Sequence, residues 1–362
     1  MNPQQPRGSM PQTIGLAMIV KNESKNIARA LDSVNFDKAV INYSGSTDGT
    51  EEIIEGWMEK HGKDSVLIAP EWNGAADGLN ACIEFLGEME VDWILRIDAD
   101  TCFEGDLPDL EKLDSDIDGV DCRILRKDGS FISWRPFLFK PSARYKGVRH
   151  EGLYCTRRIR NDNFWFRHYD DSGARPREDE TYAEDFQAMG NALPMEMDSG
   201  LVKRYCFYMA NSARDGGDFF QAAMWFRLRM EMGGYDGEVQ VSAREHALLT
   251  NEPGFWLKAV KDHPTRPDMV FWALAGGQTR GEVFIRQVLG LYDEDAWVDG
   301  LMFQQDSYRW KALDQIALSW LWLGDEEKSL ELTNRVLGEF DLPTEDKDRI
   351  LARIAANTGE EE

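Results

Sequence analysis

The sequence lacks several features that would assign it to a common class. It has no run of 18 uncharged apolar residues, and its start, MNPQQPRGSMPQ, has no apolar stretch of the kind found in signal peptides. Its five cysteines are odd in number, widely spaced and without a C-x-x-C pair, so neither a disulfide framework nor a zinc site is indicated. These absences predict a chain without membrane insertion, in a reducing compartment such as the cytoplasm, with a disordered segment at residues 1–12.

Positive charge is also scarce, because 41 Lys and Arg face 65 Asp and Glu, a formal net charge of −24. The distribution is uneven. Residues 119–177 carry 14 Lys and Arg against six Asp and Glu, a net charge of +8 that leaves the rest of the chain at −32. A concentration of cations on an acidic protein predicts that this segment meets something anionic.

The apolar residues predict an α/β domain at the N-terminal end. The run TIGLAMIV, residues 13–20, is continuous and of strand length, which is typical of a strand buried on both faces. Helical and strand-like segments then alternate up to DWILRID, residues 92–98, in the order βαβαβαβ. This order favours a mostly parallel sheet, in which ligands bind beyond the carboxyl ends of the strands.

After about residue 195 the pattern is helical only. Residues 205–236 predict two helices about a Gly-Gly-Asp turn, and residues 315–337 repeat that design about Leu-Gly-Asp. Small and aromatic residues around such a turn resemble the tetratricopeptide pattern of about 34 residues. A short helical array and a generic helical bundle both fit.

A pair of acids follows the fourth predicted strand, in WILRIDAD. Residues i and i+2 of a strand point to the same side, so Asp98 and Asp100 should converge at the edge of the sheet. Converging carboxylates suit Mg²⁺ or Mn²⁺. They are also ordinary turn residues, so these residues alone leave both interpretations open.

Three motifs in order, AMIVKNES, YSGSTDGT and WILRIDAD, resemble the nucleotide-sugar domain of family 2 glycosyltransferases of the GT-A fold. The later segment RPFLFKPSARYKGVRHEGL, residues 135–153, resembles a subgroup that carries a C-terminal tetratricopeptide-like helical domain. The resemblance implies an α/β GT-A domain at residues 13–195, an all-α tetratricopeptide-like domain at residues 196–356 and an acidic tail at residues 357–362.

The resemblance also implies a donor site and a metal site. Asp98 and Asp100 fall on the family's D-x-D pair, and His168 falls where related enzymes return a histidine to the metal, so these three residues are the expected ligands of Mn²⁺ or Mg²⁺. The donor is expected to be a nucleotide sugar, with a UDP-sugar as the first choice. Tyr43 stands where relatives carry an acid, so the identity of the donor's nucleobase stays open. The implied donor contacts are Val20, Lys21, Asn22, Glu23, Tyr43, Ser44, Asn80 and Asp98.

Inverting transfer needs a carboxylate that takes the proton of the acceptor hydroxyl. Glu151, in RHEG, matches the family's H-E and is the predicted base. Asp179, in REDE, is the alternative, because many family members place the base in an E-D pair.

The predicted activity is therefore a divalent-metal-dependent, inverting glycosyltransferase, with a catalytically silent GT-A scaffold that binds partners through its helices as the alternative. The acceptor hydroxyl could belong to a glycan, a protein or a hydroxylated base in modified DNA, in a bacterium or a phage-infected host. Within the basic segment, seven aromatic residues could line a nucleic-acid track or form the core of the domain: Trp134, Phe137, Phe139, Tyr145, Phe164, Trp165 and Tyr169.

Overall fold

The computed structural model describes residues 12–43, 45–129, 131–169, 179–275, 277–297 and 305–358. Contacts between residues divide the chain into two compact units, Met1–Gly216 and Gly217–Glu362. The segment predicted to be disordered, residues 1–12, lies outside the described residues except for Gln12. The acidic tail also lies outside them, except for residues 357 and 358.

The first half of the N-terminal unit alternates strands and helices, as the apolar pattern predicts. Its elements are β1 (Ile14–Ile19), α1 (Ile27–Asp32), β2 (Lys38–Asn42), α2 (Thr50–His61), β3 (Asp64–Ile68), α3 (Ala75–Glu88) and β4 (Trp93–Arg96). Leu16, Ala17 and Met18 in β1 are all completely buried, so this strand is covered on both faces.

The second half adds strands that pair in both directions, together with two α-helices. Its elements are β5 (Thr101–Gly105), β6 (Gly119–Leu125), β7 (Phe131–Phe139), β8 (Arg144–Lys146), β9 (Gly152–Tyr154), β10 (Arg158–His168), α4 (Asp179–Ala192) and α5 (Ser199–Asp215). Strands β8 and β9 form a separate two-stranded hairpin. The contact division places α5 in this unit, whereas the sequence places the domain boundary after residue 195.

One eight-stranded sheet organises the unit, in the order β3-β2-β1-β4-β7-β6-β10-β5. Strands β1 to β4 pair in parallel, and β7 joins β4 in the antiparallel sense. The carboxyl ends of β1, β2 and β4 therefore meet at one edge. Leu16 and Ala17 belong to two different core clusters, because neighbouring residues of a strand face opposite sides of the sheet.

The described part of the C-terminal unit is entirely helical. Its helices are α6 (Phe219–Glu231), α7 (Asp236–Thr250), α8 (Pro253–Asp262), α9 (Pro267–Ala275), α10 (Gly277–Arg280), α11 (Glu282–Leu289), α12 (Gln305–Trp322), α13 (Glu326–Glu339) and α14 (Thr344–Thr358). The α/β domain followed by a helical region confirms the predicted fold class. No helix among these residues, or among those described in the N-terminal unit, is long and apolar enough to cross a membrane.

The two glycine turns singled out in the sequence share one local design. Gly217 and Gly324 have φ values of 84° and 83°, in the left-handed region that favours glycine. The following aspartates, Asp218 and Asp325, cap α6 and α13 by accepting a hydrogen bond from the backbone N–H three residues on. The repeated G-D signal therefore marks two helix starts.

The C-terminal unit also buries ion pairs. Arg266 and Asp268 are both completely inaccessible to solvent and form two hydrogen bonds of 2.7 Å, from Nε to Oδ1 and from Nη2 to Oδ2. Nη1 of Arg244 lies 3.0 Å from Oδ2 of the same Asp268. Burial would raise the pKa of Asp268, but the hydrogen bonds and charges of these two arginines hold it below its ordinary value.

Candidate active site

The loops that follow β1 and β2 are joined to each other by side chains. Asn22 has a φ of 56°, and its Oδ1 accepts a hydrogen bond of 2.8 Å from the backbone N–H of Thr47. In return, Oγ of Ser46 accepts one of 3.1 Å from the N–H of Asn22. The K-N-E and G-S-T-D-G-T motifs thus form one structural unit at the carboxyl edge of the sheet.

Asp48 completes this junction. Its carboxylate accepts hydrogen bonds from the N–H of Ser24 at 3.0 Å and from the hydroxyl of Thr50 at 2.5 Å. The Thr50 hydroxyl in turn accepts from the N–H of Glu23 at 2.9 Å. The bond from Thr50 is the main reason that the pKa of Asp48 falls from 3.8 to about 2, so Asp48 is an anion over the physiological range.

Several of the expected donor contacts have positions that the junction fixes. Val20 is buried and Lys21 is exposed at the end of β1. The Glu23 side chain is buried and accepts a hydrogen bond of 3.0 Å from Nδ2 of Asn26 at the start of α1. Tyr43 is partly buried against the core, and Ser44 lies outside the described residues.

Asn80 has a clear structural task in α3. Its Nδ2 donates to the carbonyl of Tyr145 at 2.9 Å, and its Oδ1 accepts from the N–H of Tyr145 at 2.8 Å. The amide therefore fixes β8 beside the sheet. Its expected role at the donor stays a prediction.

The two acids after β4 lie in the turn that leads to β5. Oδ1 of Asp100 is 3.6 Å from Nδ1 of His168, the last residue of β10, and the carbonyl of Asp100 accepts from the N–H of Tyr169 at 2.8 Å. The structure thus brings Asp100 and His168 together. In the described part of the chain, no group of three or more His, Cys, Asp or Glu is arranged to hold a metal ion.

The chemistry of this pair nevertheless fits a small divalent cation. Mg²⁺ is usually held by one or two protein carboxylates together with waters and substrate phosphates, and it needs no complete protein cage. Asp100 supplies an oxygen ligand and His168 a nitrogen ligand, the latter more suited to Mn²⁺ than to Mg²⁺.

Sequence reasoning missed Arg96, the last residue of β4. Its Nη2 lies 2.6 Å from Oδ1 of Asp98, and its side chain is only 16% exposed. Burial alone would lower the pKa of Arg96, but the charges of Asp98, Tyr145 and Glu151 raise it above the ordinary value. The period of two that pairs Asp98 with Asp100 also puts Arg96 on their side of the strand, and that signal was available in the sequence.

Glu151 lies in the tight segment between β8 and β9, and helix α5 holds that segment in place. Arg204 donates from Nε to the carbonyl of His150 at 2.5 Å and from Nη2 to the carbonyl of Glu151 at 3.3 Å. The His150 ring stacks on Tyr208 with 3.9 Å between centroids, and the hydroxyl of Tyr205 accepts from the N–H of Val148 at 3.2 Å. Helix α5 therefore sets the position of the predicted base.

A second carboxylate next to this segment comes from α4. Oδ1 of Asp185 is 2.8 Å from Nε of Arg149, and its Oδ2 is 3.8 Å from Nε2 of His150. Asp179, the alternative base, begins α4, and its side chain lies outside the described residues. The E-D signal that suggested Asp179 occurs again at Glu184-Asp185, and sequence reasoning did not use it there.

Many cations of the basic segment are paired within the N-terminal unit. Nη1 of Arg157 lies 2.5 Å from Oδ2 of Asp116. Four more arginine–carboxylate pairs are Arg123–Asp162, Arg149–Asp185, Arg158–Asp121 and Arg167–Glu104. The net charge of the segment therefore overstates the positive charge that a partner would meet.

The aromatic residues of the same segment are mostly core. Phe137, Phe139, Phe164 and Tyr145 are between 0% and 6% exposed. The hypothesis of an aromatic track is therefore wrong for these four residues, because they pack inside the domain and cannot stack on a base.

Comparison with known proteins finds one family model that matches part of the N-terminal unit. Residues 16–177 match the family model described as Glycosyl transferase family 2. No curated protein sequence matches the chain. Among solved structures, TarS 1-349 of S. aureus in complex with UDP-GlcNAc is 12% identical, with 67% of this chain and 88% of that chain covered and a TM-score of 0.41.

Two further solved structures are similar at a lower level. GalNAc-T7 with UDP, GalNAc and Mn²⁺ is 9% identical over 67% of this chain and 57% of that chain, with a TM-score of 0.32. The tetratricopeptide protein YrrB is 13% identical over 44% of this chain and 78% of that chain, also with a TM-score of 0.32. Residues 16–177, somewhat under half of the chain, are therefore similar to glycosyl transferase family 2.

Proposed function

We propose that this glycosyltransferase moves a sugar with inversion from a nucleotide-sugar donor to an acceptor hydroxyl, with the help of a divalent cation. The observation that carries the proposal is the meeting of three loops at the carboxyl edge of the sheet. Two of them are joined through Asn22 and Asp48, and the third presents Asp98 and Asp100. Ligands of parallel α/β sheets bind at such an edge.

The donor would lie over this edge. Asp100 and His168, with Asp98 as the third expected ligand, would hold Mn²⁺ or Mg²⁺, which offsets the charge that builds on the departing diphosphate. Asp98 and the residues after β1 and β2 would contact the nucleoside. The expected donor residues are Val20, Lys21, Asn22, Glu23, Tyr43, Ser44, Asn80 and Asp98, and a UDP-sugar is the first donor to test.

The base would be the carboxylate of Glu151. As the acceptor oxygen forms its bond to the anomeric carbon, the bond from that carbon to the diphosphate oxygen breaks, and Glu151 takes the hydroxyl proton. The hydrogen bonds from Arg204 support this role, because the two carbonyls that accept them lie on either side of the Cα of Glu151. Asp179 remains the alternative, and Asp185 joins it.

For the acceptor, the ion pairs of the basic segment favour a glycan or a protein over nucleic acid. An arginine already paired with a carboxylate attracts a phosphate less, and five arginines of this segment are paired. The cytoplasm would be the place of the reaction, in line with five cysteines that are all present as thiols.

A donor screen tests the proposal. Melting temperatures measured with a panel of nucleotide sugars, with and without Mn²⁺, should rise for one donor class and more with the metal ion. Hydrolysis of the best donor should then require the metal ion. A chain that neither binds nor hydrolyses any donor of the panel would instead be the silent scaffold.

Oligonucleotide binding tests the acceptor class. Single- and double-stranded oligonucleotides should bind weakly at low salt, with a shallow dependence of log K on log salt, because few phosphates would be neutralised. Charge reversal at Arg157, Arg158 and Arg160 should change this little. A steep salt dependence that is lost on charge reversal would favour the hydroxylated nucleic-acid base as acceptor.

A further inference from the structure

Arg96 is a largely buried cation next to Asp98, with a side chain that is 16% exposed. It ends β4, and the period of a strand puts its side chain on the side of Asp98 and Asp100. Its guanidinium lies over two aromatic rings, 5.2 Å from the centroid of Phe137 and 5.8 Å from that of Tyr145. The rings restrict its movement, and cation–π attraction adds to that hold.

Arg96 has side-chain hydrogen bonds to Asp98 and Tyr145, and one further donor is left without a partner in the described part of the chain. Nη2 donates to Oδ1 of Asp98 at 2.6 Å, whereas Nε is buried and has no hydrogen-bond partner within the described residues. A buried donor without a partner is costly, so the position is unfavourable for stability alone.

Arg96 also reduces the negative charge of the site. Asp98, Asp100 and Glu151 would together present three carboxylates to a donor that is itself an anion. The charges of both Asp98 and Glu151 act on Arg96, so this one cation offsets part of the repulsion on the donor side and on the base side. Among the expected donor contacts, Lys21 is the other cation besides the metal ion.

We propose that Arg96 is a positioning residue that holds the Asp98 carboxylate toward the donor and lowers the electrostatic cost of bringing a diphosphate to the edge of the sheet. This proposal rests on the proposed function, because it assumes that the donor lies over Asp98. It assigns no proton transfer to Arg96, which acts only through Asp98 and through its charge.

The test compares Arg96→Met with Arg96→Lys. Arg96→Met keeps much of the apolar volume but removes the charge, and it should weaken the binding of UDP and of pyrophosphate, each with Mn²⁺, by about 10- to 100-fold. The KM for the donor should rise by a similar factor, with a smaller fall in kcat. Arg96→Lys restores the charge without the planar fork, so it should recover part of the binding.

Arg123→Met is the matched control. Arg123 also lies in the sheet, pairs with one carboxylate, Asp162, and covers an aromatic ring, Trp165, at 5.7 Å. It has no contact with the candidate site, and its loss should leave binding within about twofold of the original protein.

A double-mutant cycle separates positioning from general destabilisation. If Arg96 acts through Asp98, then Arg96→Met should weaken pyrophosphate binding much less when Asp98 is already Asn, so the two losses should not multiply. Fully multiplying losses would overturn the positioning through Asp98, and unchanged binding in a folded Arg96→Met protein would overturn the whole proposal. If Arg96→Met does not fold, Arg96→Lys with binding between that of the original protein and that of Asp98→Ala would support the proposal, and Arg96→Lys with full binding would oppose it.

Failure of the proposed function gives a different result. If Glu151→Gln and Asp100→Ala both keep full transfer, the assigned chemistry is wrong, whatever Arg96 does. Pyrophosphate binding by the Arg96 variants is measured without turnover, so it tests Arg96 independently of that outcome.

Discussion

Buried arginines in the two units differ in how completely their charge is matched. In the C-terminal unit, Arg266 and Arg244 share Asp268, and Arg229 lies 3.0 Å from Glu238 in a second buried pair. These clusters are closed, because cations and carboxylates satisfy each other inside the helical core. In the N-terminal unit, Arg96 meets Asp98, whose side chain is 37% exposed at the edge of the sheet.

The difference separates two uses of a buried charge. A closed cluster fixes how helices pack, and its removal is felt as lost stability. When a largely buried cation faces a half-exposed carboxylate, part of the cation's positive charge is not neutralised and can act on a ligand. We therefore expect mutations in the C-terminal clusters to change stability, and mutations near Arg96 to change binding and turnover.

The comparison is tested most strongly at Asp100. Asp100→Ala should reduce transfer by about 10³-fold or more, since it removes the oxygen ligand of the proposed metal site. Thermal unfolding should be nearly unchanged, because Asp100 lies in a turn beyond the end of β4. Asp64→Ala, an exposed carboxylate at the start of β3, is the control. Turnover like that of the original protein at saturating Mn²⁺ would contradict the assignment.

The opposite behaviour is expected at Asp268. Asp268→Ala should cost about 3–5 kcal/mol of unfolding free energy, because it leaves Arg266 and Arg244 buried without their carboxylate. Urea unfolding followed through the C-terminal transition measures this loss. Asp262→Ala, in an exposed pair with Lys258, should cost about 0.5 kcal/mol or less. Equal effects of the two substitutions would remove the distinction between closed and exposed clusters.

Glu151→Gln should lower kcat by about 100-fold or more while donor binding is kept, which is the usual scale for the loss of a general base. Single-turnover kinetics and UDP binding with Mn²⁺ separate the two quantities. Asp185→Asn and Asp179→Asn are measured in parallel. If one of these two gives the large loss and Glu151→Gln does not, the role of base passes to that residue.

The smallest effect is expected from Asp48. The pKa of Asp48 is about 2 in the folded protein and 3.8 when the carboxyl group has no partners. Its contribution to stability is therefore complete above about pH 4 and is lost as the pH falls toward 2. Asp48→Asn should therefore flatten the acid side of the stability profile over this range. The effect should be modest, because Asp48 is exposed. An unchanged slope would mean that Asp48 does not brace the two loops.

The sequence predicts the first half of the sheet well for a physical reason. Strands β1, β2 and β4 are short and buried, so each one appears as a continuous apolar run, and the residues that follow them lie at one edge. The convergence of Asp98 and Asp100 that the strand period predicts stays a prediction. Local patterns were sufficient to predict these strands, because each strand is defined by residues that are neighbours in the sequence or that alternate with the strand period.

The second half of the N-terminal unit could not be predicted in this way. The pairing of β6 with β7 and of β10 with β6 contains register shifts, for example between Arg160 and Trp165, and each shift changes which face a side chain takes. The contacts of Arg149 with Asp185 and of His150 with Tyr208 join residues that lie far apart in sequence. The proximity of Asp100 and His168 was expected only from the family resemblance.

The way α5 holds Glu151 bears on where this transferase can be divided or recombined. A chain cut at residue 195, the boundary predicted from sequence, would lose Arg204, Tyr205 and Tyr208 together, and with them the backbone support of the segment from Val148 to Glu151. Exchange of helical regions between related enzymes would preserve this support only at or after Gly216, where the first compact unit ends. Helix α5 therefore has to be kept together with the transferase domain in any such division or exchange.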